Sequence, residues 1–129
     1  MTKYLGIDYG MSHVGLATSE AVLATPLISF HNDSTLLSKL AQLVKKEGIT
    51  EIVCGIPEGR LAVVIMDFAK KLRQTTGLDV ILHPETLSTK EAIAGLRASG
   101  ASRAKLKNDH VYAACLILED YLELKNSVN

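Results

Sequence analysis

The chain has 129 residues, 47% of them hydrophobic, and a formal net charge of zero. That length suits one domain over residues 1–129 with a core large enough to need no covalent staples. The neutral balance excludes a globally basic nucleic-acid binder, so any phosphate-binding surface has to be local.

Residues 3–8 and 13–19 are predicted strands joined by the turn Tyr9-Gly10-Met11-Ser12. Leu23 to Phe30 reads as a third strand, entered through Pro26, which favours a sheet edge. Asp33 or Ser34 can cap a helix over 35–47, where Leu36, Leu37, Leu40, Leu43 and Val44 recur at helical spacing. Lys45 and Lys46 in its last turn and Gly48 just beyond are stop signals. Ile49 to Ile56 is a β-branched run expected as a buried strand, and Pro57-Glu58-Gly59 is a turn. Arg60 to Gln74 reads as a second helix closed near Gly77. Its first half, Leu61–Met66, is apolar all round, which predicts either deep burial or the contact surface of a homodimer.

Leu78 to Leu82 is the fifth predicted strand, followed by His83-Pro84-Glu85. Ser88 and Glu91 have the spacing of a capping box and open a helix to about Ser99. Gly100 to Lys107 reads as a polar basic loop, and Asn108 or Asp109 as the cap of a final helix to about Lys125. The order β-β-β-α-β-α-β-α-α predicts an α/β fold. Its mixed five-stranded sheet would begin as an antiparallel meander and continue with parallel strands, flanked by helices.

Cys54 and Cys115 sit in apolar runs without metal-type spacing and read as buried thiols in a reducing compartment. The N-terminus enters a strand directly, and no apolar run approaches the length that spans a bilayer. The expected location is cytoplasmic, with no membrane partner.

Three acidic residues fall at ends of predicted elements: Asp8 at the end of the first strand, Glu85 after the last, and Asp109 at the start of the final helix. In open α/β sheets, sites gather at the carboxyl ends of strands. Carboxylates packed there repel one another unless a cation is present. Mg²⁺ or Mn²⁺ is satisfied by a few carboxylates together with substrate phosphates. Two such ions about 4 Å apart stabilise both the attacking water and the leaving oxygen of a phosphodiester. Taken singly, Asp8 also fits an Asx turn, Glu85 a solvated loop charge, and Asp109 a plain helix cap.

Leu5-Gly6-Ile7-Asp8-Tyr9-Gly10 with Val14-Gly15-Leu16-Ala17 resembles the YqgF/RuvX family of Holliday-junction resolvases and pre-rRNA nucleases. So do Gly55-Ile56-Pro57, Glu85-Thr86-Leu87-Ser88-Thr89-Lys90-Glu91-Ala92 and Ala113 through Leu122. The resemblance covers nearly the whole chain. It implies an RNase H-like fold and a carboxylate–metal nuclease acting on nucleic acid, either pre-rRNA or branched DNA. In that reading Asp8, Glu85 and Asp109 are the metal ligands. Relative to the family, His13 stands where Arg is usual, Pro84 replaces an Asp, the loop after Pro57 is shorter, and the final Asp falls on His110. A one-residue shift at a helix start keeps Asp109 as the third carboxylate, with His110 as a partner that can ligate metal or move a proton. Arg97, Arg103, Lys105 and Lys107 form the one local excess of positive charge beside Asp109. With His13 they are the candidate contacts to the nucleic-acid backbone.

Two other functions compete. A kinase-like ATPase shares the first hairpin, but it needs a second such domain, and the chain has no G-x-x-x-x-G-K-[ST] loop. A non-catalytic nucleic-acid-binding module on the same fold would account for Pro84, His13 and the shifted Asp109. Metal-dependent hydrolysis of structured nucleic acid in ribosome biogenesis is the leading expectation, with Holliday-junction resolution as the alternative substrate.

Overall fold

The computed structural model describes residues 1–98 and 103–127. Strands β1 (Tyr4–Tyr9), β2 (His13–Ser19) and β3 (Thr25–His31) form a meander, followed by α1 (Leu36–Glu47) and β4 (Glu51–Ile56). Then come α2 (Arg60–Thr76), β5 (Val80–Pro84), α3 (Leu87–Ala98) and α4 (Arg103–Ser127). The sheet order is β3-β2-β1-β4-β5. β2 pairs antiparallel with β1 and β3, whereas β1, β4 and β5 run parallel. This is the predicted mixed sheet, with the Pro26 strand at one edge.

Strand periodicity divides the core between two layers. Leu5 and Ile7 of β1 join Leu16, Ile52 and Cys54 against Leu36, Leu40 and Val44 of α1 and Ile65, Phe68 and Leu72 of α2. On the opposite face Tyr4 and Val53 pack on Ile117, Leu118 and Leu122 of α4, and Ala17 packs on Ala114 and Cys115. Each fully buried aliphatic side chain contributes about 1.5–3 kcal/mol. At the far end of α4, Lys125 Nζ donates to the Tyr4 hydroxyl at 2.9 Å.

Several boundaries differ from the sequence reading. Helix α4 begins at Arg103, not at Asn108 or Asp109, so residues 103–107 of the predicted basic loop are helical, and residues 100–102 lie outside the described residues. Arg103-Ala104-Lys105-Leu106-Lys107 consists of strong helix formers, and its polarity reflects charge content rather than loop character. Helix α3 is capped by Thr86, not Ser88: the Thr89 N–H donates to Thr86 Oγ1 at 3.2 Å and the Lys90 N–H to Thr86 O at 2.9 Å. Strand β5 lies two residues later than expected, taking in Pro84, which an edge strand tolerates. On α2 the run Leu61–Met66 is not deeply buried throughout. Ile65 is in the core, but Val63 and Met66 are 69% and 54% exposed.

Candidate active site

A floor of small residues lets α4 lie directly on the sheet. A Cβ placed on Gly15 of β2 would stand 2.1 Å from both the carbonyl carbon and oxygen of His110. One on Gly6 of β1 would stand 2.8 Å from Leu118 Cβ and 2.9 Å from Ala114 O. These are backbone or near-backbone contacts that only glycine permits at this separation. Asp8 is the register partner of Gly15, so the same close approach carries the His110 side chain to Asp8.

His110 Nδ1 lies 2.6 Å from Asp8 Oδ2. An ionised carboxylate only accepts, so His110 Nδ1–H donates. Asp8 is itself buried on β1. Asp109, one residue before His110, lies in the second turn of α4 instead of capping it. It is 4% exposed, and its Oδ2 has no hydrogen-bond partner among the described residues. A buried carboxylate oxygen in that condition calls for a donor or a cation. Helical spacing aligns Asp109 with Ala113 and Ile117, and Ile117 lies over Gly55 of β4. His110 aligns with Ala114 and Leu118 over Gly6 of β1. The two neighbours thus face adjacent strands.

Glu85 follows β5 directly, and with Asp8 it lines a cleft of about 80 Å³ walled in part by Tyr9, Gly55, Pro57 and Leu61. The His13 ring stands 4.9 Å from that of His31 and 6.4 Å from that of His110, which puts it beside the same edge on β2. Arg97 lies on α3, and Arg103, Lys105 and Lys107 lie on the first turns of α4. The side chains of these four fall outside the described residues. Among the described residues, no three of His, Cys, Asp and Glu already stand as a metal-holding group. Two carboxylates in one cleft, with an orphaned third oxygen on the adjoining helix, nevertheless match how Mg²⁺ is usually held, by one or two carboxylates with water and phosphate completing the shell.

Burial pushes the Cys54 thiol far above its ordinary range, and the nearby Asp8 charge adds to it. Burial likewise pushes Cys115 up to about 11, helped by Glu119. Both cysteines are therefore protonated packing groups at neutral pH.

Two site features had no signature in the sequence reading. Gly6 and Gly15 are recognisable as a helix-bearing floor only once β1 and β2 are known to face α4. The pairing of His83 Nε2 with Asp120 Oδ2 at 2.6 Å joins residues 37 apart with no motif to connect them. No helix among the described residues is long and apolar enough to cross a membrane.

Solved structures with the same fold include Thermus thermophilus RuvC in complex with a Holliday junction substrate. It has a TM-score of 0.61 at 12% identity, covering 97% of each chain. The fowlpox virus Holliday junction resolvase gives 0.61 at 12% identity, covering 96% of this chain and 99% of that one. These likenesses establish the RNase H-like architecture. Closer in sequence are proteins that carry the name pre-16S rRNA nuclease. One from Protochlamydia amoebophila is 36% identical, covering 95% of this chain and 93% of the relative. Another from Syntrophus aciditrophicus is 34% identical, covering 94% and 88%. Residues 2–124 match the family described as RuvX: Holliday junction resolvase. The chain belongs to this RuvX family of nucleases.

Proposed function

We propose that the protein hydrolyses phosphodiester bonds in a precursor of 16S rRNA, at the edge where Asp8, Glu85 and the start of α4 converge. The observation that carries this is the sharing of one cleft by Asp8 and Glu85 while His110 Nδ1 rests on Asp8. The relatives' shared name supports RNA as the substrate. Nucleases of this fold generally depend on divalent metal. Asp8, Glu85 and Asp109 would hold Mg²⁺ or Mn²⁺, which supplies charge stabilisation at the scissile phosphate. His110 fixes the Asp8 carboxylate and leaves Nε2 to accept or return a proton. His13, Arg97, Arg103, Lys105 and Lys107 hold the nucleic-acid backbone, and an rRNA substrate places the work in the cytoplasm.

Incubation with labelled 16S precursor, four-way junction DNA and plain single strands tests the assignment. Cleavage of the precursor alone, abolished in Asp8→Asn, is expected. Cleavage of the junction alone would transfer the same machinery to the family's other substrate. A retained cut in Asp8→Asn would remove the carboxylate from the mechanism. The exposed Val63, Val64 and Met66 support a homodimer through α2. Sedimentation that stays monomeric at high concentration would dismiss it.

A further inference from the structure

We infer that Asp120 is a positioning residue for Glu85, and this rests on the nuclease reading above. Asp120 lies on α4, eleven residues or three helical turns beyond Asp109. Its carboxylate takes hold of the chain on both sides of Glu85. Oδ2 accepts from His83 Nε2 at 2.6 Å, and Oδ1 lies 3.3 Å from the Thr86 hydroxyl. The His83 and Asp120 side chains are only 11% and 17% exposed, so the pair works with little solvent screening. Tyr121 closes over it, its ring edge-on to His83 at 5.6 Å. Thr86 in turn caps α3 through the Thr89 N–H, so the grip extends into that helix.

Pro84 and Glu85 are the two residues between His83 and Thr86. The segment that carries Glu85, held at His83 and at Thr86, cannot slide along the strand direction without breaking a charge-assisted hydrogen bond. The helix that makes the grip also carries His110, which contacts Asp8, and Asp109 one residue before it. Asp120 therefore sets the separation between Glu85 on one element and the α4 groups on another. The cost of losing such an orienting partner is about ten- to a hundredfold in metal affinity or rate.

Three full-length variants test this: Asp120→Ala, Asp120→Asn and Glu119→Ala. Glu119 is the neighbouring residue on α4, and it bonds the Ala24 N–H at 2.8 Å, away from the Glu85 flanks. It controls for general loosening of the helix. In Asp120→Ala, amide hydrogen exchange at Thr89 and Lys90 should accelerate while amides at Ala113–Leu118 keep their protection. Mn²⁺ affinity, measured by titration without substrate, should fall about tenfold or more. kcat on precursor RNA should fall with KM nearly unchanged, because the RNA contacts stay in place. Asp120→Asn, which still accepts from His83, should recover most of each property.

Unchanged exchange at Thr89 and Lys90 would overturn the inference. So would accelerated exchange there with unaltered Mn²⁺ affinity, or an equal loss of affinity in Glu119→Ala. If the wild-type protein binds no Mn²⁺ and cuts no nucleic acid, the proposed function fails. The exchange data then still report whether Asp120 holds the Glu85 flanks.

Discussion

Replacing Gly15 by alanine is the sharpest test of how the cleft is assembled. The added methyl carbon would sit 2.1 Å from the carbonyl carbon and oxygen of His110, where ordinary contact begins near 3.4 Å. Relief requires α4 and β2 to separate locally by about 1.3 Å, and the obstruction is backbone, so no rotamer change can supply it. The Asp8–His110 contact is 2.6 Å long. Displacement of that size along its axis stretches it past the 3.5 Å range of a real hydrogen bond. Overpacking of this kind costs about 1–3 kcal/mol of stability. A 1 Å misplacement of reacting groups costs roughly a hundredfold in rate. Urea unfolding and precursor cleavage, measured side by side on Gly15→Ala, should show a modest loss of stability and a much larger loss of kcat. Wild-type cleavage by the variant would refute the claim that close helix–sheet contact sets the site.

Three further outcomes follow from the same structure. Asp8→Asn keeps an oxygen that accepts from His110, so it should fold with a nearly unchanged Tm. It removes half of the carboxylates in the cleft, and kcat should fall roughly a hundredfold or more, since metal contributes several kcal/mol of charge stabilisation. A Tm drop large enough to explain the lost activity would reassign Asp8 to folding. Mn²⁺ at a hundredfold over its Kd should stabilise the wild-type protein by about 2.7 kcal/mol. That Tm increase should vanish in a Glu85→Gln variant, and persistence of the full shift there would place the ion elsewhere. For Cys115 the folded state holds the proton up to about pH 11, against an ordinary 9.0. Its contribution to stability is complete below pH 9 and is lost as pH rises toward 11. The Tm advantage of the wild type over Cys115→Ala should shrink across that window, and a difference independent of pH would contradict the burial of the thiol.

Legibility in the sequence followed the range of the interaction involved. Local signals carried far. Gly48 and Gly77 adopt the left-handed conformation that ends α1 and α2, at φ 67° and 75°. Pro26 marks the edge strand, and the apolar spacing of Leu36, Leu40 and Val44 matches the buried stripe of α1. Asp8 and Glu85 were identifiable because both lie at strand ends, and parallel β1, β4 and β5 bring those ends together. The start of α4 is hidden in the sequence because the charge density of 103–107 looks like a loop although its residues are strong helix formers. Thr86 is hidden as a cap because Ser88 and Glu91 satisfy the local pattern. The anchor that selects Thr86 is Asp120, 34 residues away. For the same reason the choice between Asp109 and His110 as neighbour of Asp8 depended on helix phase. The orientation of α4 is settled by Gly15 and Gly6, far from either residue in sequence.

Helix α4 is tied at its distal end through Lys125 and Tyr4, while His110 lies fifteen residues nearer its start. At 1.5 Å per residue that arm is about 22 Å long, and a 5° tilt about the tether would swing its tip by about 2 Å. The shaft is braced between those points by contacts with almost no slack, Leu118 and Ala114 seated on Gly6 and Ile117 on Gly55. Leverage of this kind makes the opposite rim of the sheet a place from which the chemistry can be detuned. Truncation at Lys125, remote from Asp8 and Asp109, belongs to the same mechanical system as the imidazole it helps to aim.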